Sequence, residues 1–254
     1  YNLNYFFTQV DKVEWDWQSP RRNDLFARRF KGEAFALRAF FYQRLLSEYG
    51  GIGSDGNLLG VPIVTTPLGV DDNWQIPRAT FQATIDQIKM DYDSALNYLP
   101  YTYKDNPADG EWTRVFGARN KGKIQGQIIK AFRSKLNFLI ASPAFNGGSY
   151  DVAKCAAAAT MTSDLLDSIG GVAGMPMDGV IFNTDGDATG NADIFWRRDY
   201  FSNNALEVAN FPPTAFGNGD VNPTQNFVDA FPDKDGYPYT AASAYYDAAN
   251  PYAN

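Results

Sequence analysis

A mainly α-helical fold with a loop-rich second part and little β is predicted by three stretches of the sequence, and its helix pairs resemble tetratricopeptide-type hairpins, although the strict 34-residue repeat is absent. Phe81, Ile85, Ile88, Tyr92, Leu96 and Leu99 recur at alternating spacings of three and four, the period of an amphipathic helix. The stretch Gly32–Gly51, GEAFALRAFFYQRLLSEYGG, places Leu37, Phe41 and Leu45 four residues apart, with Ala34 and Phe40 widening the stripe. From Gly170 onward the composition turns to Gly, Pro, Asn and Asp, residues that favour turns. The organisation expected is one domain over residues 1–254, with a helical hairpin scaffold over 1–169 and a loop-rich, ligand-facing region over 170–254.

Residues 1–12, with Leu3, Phe6, Phe7 and Val10, suggest the tail of a helix. Val13–Asn23 (VEWDWQSPRRN) reads as a loop in which Pro20 limits helix formation. Asp24 is the candidate cap of a lead-in turn, and Glu33–Tyr49 forms a helix of about 25 Å. Glu33 in its first turn suits the helix dipole, and Gly50-Gly51 ends it through a left-handed conformation. Val61–Val64 is a candidate edge strand, since Pro62 keeps it from a sheet centre. The periodic helix over 81–99 stops at Pro100, and a loop of about twenty residues carrying Trp112 follows. Asn120 is the candidate cap of a third helix with the stripe Ile124, Ile128, Ala131, Phe132, Leu136, Leu139 and Ile140. A fourth helix over about Val152–Ile169 carries Ala153, Ala157, Met161, Leu165 and Ile169, with Cys155 as a small apolar residue. Thr224–Phe231 has the pattern of a short helix.

Composition excludes several function classes. The chain of 254 residues has no His and a single Cys, which removes His-based triads, Cys–His pairs, His-based zinc sites and internal disulfides. A net charge of −7 argues against nucleic-acid binding through a basic face and disfavours strongly anionic ligands. No apolar run reaches the length of a membrane span. The chain begins inside a helical pattern and ends after an Asn-Pro-Tyr turn, so it reads as part of a longer protein.

Several blocks occur in a telling order: the Gly32–Gly51 stretch, the Val-Pro-Ile-Val run, IPRAT at 76–80, DYDSALNYLP at 91–100 and KGK at 121–123. LIASPAFNGG at 139–148, DIFWRRD at 193–199, NPTQNFVDAFPDKDGYP at 222–238 and YDAANPYAN at 246–254 follow. In this order the sequence resembles the SusD/RagB family. The resemblance implies a lipid-anchored nutrient-binding protein on the bacterial outer membrane that binds glycans or peptides without catalysis. It would deliver them to a SusC-like TonB-dependent transporter. The family's signal peptide and lipid-bearing Cys are not in this sequence, Cys155 cannot replace that Cys, and the family normally continues past residue 254.

Binding a sugar without cleaving it requires aromatic faces and amide or carboxylate partners for hydroxyls. Loop clusters that meet this need are Trp15-Asp16-Trp17, then Tyr200 with Asn203 and Asn204, then Phe211–Asn218 with Phe216. The candidate ligand-binding residues are Trp15, Asp16, Trp17, Tyr200, Asn203, Asn204 and Phe216. Trp196 reads as core, and Arg197, Arg198 and Asp199 as a salt-bridged group. Asp185, Asp187, Thr189, Gly190 and Asp193 occupy the first, third, fifth, sixth and ninth places of an EF-hand-like calcium loop, but Trp196 stands where its bidentate Glu belongs. An Asp/Gly turn is therefore the reading there, and no cofactor is expected. A glycosidase needs two carboxylates at a set separation, and no pair stands out. Besides nutrient binding, the helical hairpins allow a scaffold for a protein partner.

Overall fold

The structure, a computed structural model, describes residues 2–175, 196, 204–238, 240, 243, 245–247 and 249. It divides into two units, residues 1–199 and 200–254. The fold is mainly helical.

In the first unit, α1 (Asn2–Gln9) runs into a single 3-10 turn at Val10–Lys12, as expected from its apolar spacing. The next helix starts earlier than the sequence suggested. α2 spans Pro20–Tyr49, with Ser19 as its N-cap accepting from the Arg22 N–H. Pro20 therefore opens the helix. At the first helical position its missing N–H costs nothing and its fixed φ is already helical. The C-terminus also differs: Gly50 is extended (φ −66°, ψ 142°), with its N–H donating to the Leu46 carbonyl.

The buried face of α2 matches the expected stripe only in part: Ala34 is buried and Leu37 packs against the core. Phe41 and Leu45 are exposed, whereas Gly32, Ala34, Ala36, Ala39, Tyr42, Gln43 and Leu46 are buried. The small residues let α3 (Phe81–Tyr98) approach closely: a Cβ on Gly32 would lie 2.5 Å from Leu99 Cγ. Arg28 donating to Tyr98 O (3.0 Å) and Arg38 to Asp91 mark an antiparallel pair. On α3, Phe81, Ile85, Ile88 and Tyr92 are buried as their spacing predicts, and Thr80 caps the helix.

Between these helices the expected strand at 61–64 is replaced by a two-residue hairpin. β1 (Gly51–Ile52) pairs antiparallel with β2 (Leu58–Leu59). The 61–64 run is extended without a ladder, because side chains claim its backbone. Asn4 donates to the Val64 carbonyl at 2.8 Å, and the Tyr42 hydroxyl both donates to that carbonyl and accepts from the Val64 N–H.

The 20-residue loop after Pro100 contains a helix, α4 (Gly110–Phe116), capped by Asp109. Its Val115 and Phe116 are buried against Tyr103 and the central cluster. α5 (Gly126–Ile140) begins after Gln125, and Asn120 is no cap. Asn120 is buried instead, accepting from Arg29 at 3.0 Å and donating to Val115 O. α6 (Val152–Asp167), capped by Asp151, returns antiparallel to α5. Ser134–Thr162 (2.6 Å) and Asn137–Met161 cross the pair. Ala158 and Leu165 form its buried face, while Ala153 and Ala157 are exposed. Cys155 is a half-buried free thiol.

In the second unit, α7 (Ala205–Asn210) and α8 (Gln225–Asp229) are short; α8 falls within the short helix expected over Thr224–Phe231, with Thr224 as its cap. Asp233 organises the following turn, accepting from the backbone N–H groups of Asp235 and Tyr237 and from the Ser243 hydroxyl.

Candidate functional site

The loop at 13–19 is tied down by its neighbours. The Trp15 indole N–H donates to Val10 O at 2.9 Å, and its ring lies 4.6 Å from Phe30. Asn23 accepts from the backbone N–H groups of Trp15 and Asp16. Arg22 grips both oxygens of Asp16, with Nε to Oδ2 at 2.6 Å and Nη2 to Oδ1 at 2.9 Å. That bidentate pair holds the Asp16 carboxyl down at about 2. Trp17 is different: its side chain is 78 % exposed.

The other candidates fall in the second unit or next to it. Tyr200 and Asn203 lie outside the described residues. Asn204 is exposed at the start of α7. Phe216 is 96 % exposed and sits in the left-handed region at φ 61°, closing the 3-10 turn Pro213–Ala215. A non-glycine residue there costs about 1–2 kcal/mol, offset locally by the Gly217 and Phe216 N–H bonds to Pro212 O and Pro213 O.

The first unit also holds a cleft that the sequence reading passed over. Pro62, Val64, Thr66, Leu68, Trp74 and Ile76 enclose about 240 Å³. Trp74 is 59 % exposed. Its indole N–H donates to Gly69 O at 3.0 Å, which fixes the ring without burying it. Asp72 Oδ2 accepts from the Gly69 N–H at 2.6 Å and Asn73 Oδ1 from the Gln75 N–H at 2.9 Å, so the tip is a pair of side-chain-capped turns. The floor is firm. Arg38 is bidentate to the buried Asp91 (2.8 and 2.7 Å) and reaches Asn4 Oδ1 at 3.1 Å, while Asn4 holds the Val64 and Thr66 carbonyls. Arg78 closes the stem on Gly60 O, Tyr49 O and Leu59 O. The signal was present in the sequence. Asp71-Asp72-Asn73-Trp74 joins an aromatic ring to acids and an amide, as Trp15-Asp16-Trp17 does. The arrangement can offer a rigid aromatic face beside a shallow apolar floor.

A second hollow of about 300 Å³ lies between α2 and α5, with Phe40, Gln43, Arg44, Glu48, Phe132 and Lys135 among its walls. Its polar groups are largely engaged: Arg44 binds Glu48 at 3.0 Å, and Gln43 binds Tyr92 and Phe132 O. Trp196 meets Phe40 and Phe132 edge to face and remains 36 % exposed.

Among the described residues no group of three or more His, Cys, Asp or Glu side chains could hold a metal. The calcium-like positions Asp185, Asp187, Thr189, Gly190 and Asp193 lie outside the described residues, as do Arg197, Arg198 and Asp199. Among the described residues the carboxylate that burial pushes above its ordinary range is Glu33, and it pairs with the buried Arg29 at 3.3 Å. Among the described residues no helix is long and apolar enough to cross a membrane.

Residues 4–109 match the model of a SusD-like family described as starch-binding associating with outer membrane. No curated protein matches the chain. A SusD-like protein from Bacteroides fragilis is similar in structure, with a TM-score of 0.56 at 24 % identity, covering 95 % of this chain and 42 % of that one. A SusD-like carbohydrate-binding protein from Bacteroides vulgatus has a TM-score of 0.50 at 20 % identity, covering 77 % of this chain and 34 % of that one. The chain thus spans well under half the length of these solved structures. The matched segment includes α2, α3 and the whole Trp74 cleft, and the fold of the chain is SusD-like.

Proposed function

We propose that the protein binds oligosaccharide, or peptide, at the surface of the bacterial outer membrane without cleaving it, and passes it to a SusC-like TonB-dependent transporter. Binding is assigned to the Trp74 cleft in the first unit. The observation that carries this is a tryptophan ring held rigid by its own N–H yet left largely in solvent, over an apolar floor inside the family-matched segment. A large ring that keeps most of its face exposed while its orientation is fixed is preorganised for stacking on a flat apolar ligand face. Association with the membrane would come from a lipid anchor.

The test is affinity electrophoresis and calorimetry of the intact protein against a panel of neutral glycans and short peptides. Saturable binding of at least one glycan, lost by about tenfold or more in Trp74→Ala, supports the assignment. Release of new reducing ends during incubation removes the non-catalytic reading, and an unchanged affinity in the variant moves the site elsewhere.

A second reading, a scaffold for a protein partner, is favoured by the exposed Phe41, Leu45 and Phe138 on α2 and α5. It predicts that Trp74→Ala leaves every function intact.

A further inference from the structure

We infer that the Trp74 cleft selects uncharged sugar chains and turns away those carrying carboxylate or sulfate. This rests on the glycan-binding assignment above and adds which chemical class enters. The cleft walls are Pro62, Val64, Thr66, Leu68, Trp74 and Ile76, none of them charged. Between residues 61 and 77 the chain contains no Lys or Arg, and its charges are Asp71 and Asp72. Among the described residues two cations hydrogen-bond the segment or its stem, and both are already engaged. Arg38 reaches Thr65 O, but its guanidinium is committed to the buried Asp91 and to Asn4. Arg78 spends its Nε and Nη2 on three backbone carbonyls at the stem.

Asp71 is exposed, and Asp72 is fixed by the Gly69 N–H. A carboxylate on a sugar stacked against Trp74 would therefore meet negative charge with no compensating cation among the cleft walls or within residues 61–77. It would also lose water against apolar walls, which is unfavourable for an ion without a partner. A hydroxyl meets neither obstacle. Thr66 lines the cleft, and Asn73 and Gln75 flank Trp74 with uncharged donors and acceptors. The selectivity is local. It arises from the distribution of charge around one loop and does not need the net charge of the whole chain.

The experiment pairs each neutral polysaccharide with its own charged form: a β-glucan and an α-mannan, each native and with its C6 hydroxyls oxidised to carboxylates. Binding to the intact protein is measured at low and high salt. The expected result is that a native polymer binds and its oxidised form binds at least about tenfold more weakly, with the gap narrowing at high salt as screening weakens the repulsion. Asp71→Lys, at a side chain with no structural bond, should narrow the gap at low salt while leaving the native polymer's affinity within about twofold. Equal or tighter binding of the oxidised form, still dependent on Trp74, overturns the selectivity and leaves the glycan assignment standing. Binding unaffected by Trp74→Ala overturns the inference by moving the site. No binding of any native or oxidised polymer overturns both.

Discussion

The loop at 13–19 and the loop at 66–76 have nearly the same ingredients, tryptophan beside aspartate in a short connection, and use them differently. In the first, Arg22 occupies both oxygens of Asp16, and Trp15 leans on Phe30 while donating to Val10 O. In the second, the aspartate caps a turn, and the tryptophan is anchored by its N–H with most of its ring in solvent. The first loop closes one end of α2, and the second presents a surface. Residue type alone does not make a binding face. What matters is whether a neighbouring arginine or aromatic ring has already claimed the group.

The largest effect is expected beneath the second loop. Asp91 is 1 % exposed and carries the Arg38 pair on which Asn4, Val64 and Thr66 converge. Asp91→Ala leaves the half-buried Arg38 guanidinium without its carboxylate, which costs up to about 3–5 kcal/mol and lowers the melting temperature by up to roughly 6–20 °C. Glycan affinity should fall with it as the floor of the cleft loosens. Calorimetric melting and binding read both, and an unchanged melting point would show that the floor does not depend on this pair.

Next in size is the contrast between the two tryptophans. Trp15→Ala should cost about 1–3 kcal/mol, part of the loss seen for fully buried aromatics plus one hydrogen bond. Trp74→Ala should stay within about 0.5 kcal/mol in stability. Urea unfolding of the two variants measures this directly. Equal losses would mean that Trp74 is a structural residue.

The smallest effect concerns Asp16. Because its carboxyl is held at about 2, its contribution is present above the ordinary carboxylate range and is lost as pH falls toward 2. Asp16→Asn should therefore show less loss of stability than the parent between pH about 4 and about 2. Parallel slopes for the two proteins across that window would place no linkage at Arg22.

These comparisons also mark what the sequence could show. The α3 face was legible because Phe81, Ile85, Ile88 and Tyr92 keep a helical period and bury on that period. The α2 face was legible only in part, because size was a poor guide: Gly32, Ala36 and Ala39 turn inward where α3 approaches, while Phe41 and Leu45 remain outside. α4 was hidden in a short segment whose Val115 and Phe116 owe their burial to distant residues. The family resemblance was legible from the order of the blocks, and the matched segment and the fold agree with it. The Trp74 cleft escaped because Trp15 and Trp74 look alike until Arg22, Phe30 and Arg78 are placed around them.

Arg78 has a consequence for how such a protein changes over time. By joining Tyr49 O at the end of α2 to Gly60 O and Leu59 O just ahead of α3, it fastens the connection at its neck. The exposed tip between Leu68 and Trp74 can then be lengthened with little disturbance to the helices, since doubling a flexible loop costs only about 0.6 kcal/mol in closure entropy. Insertions between Leu68 and Trp74 are thus a low-cost route by which descendants of this chain could reshape that surface while inheriting the same helical frame.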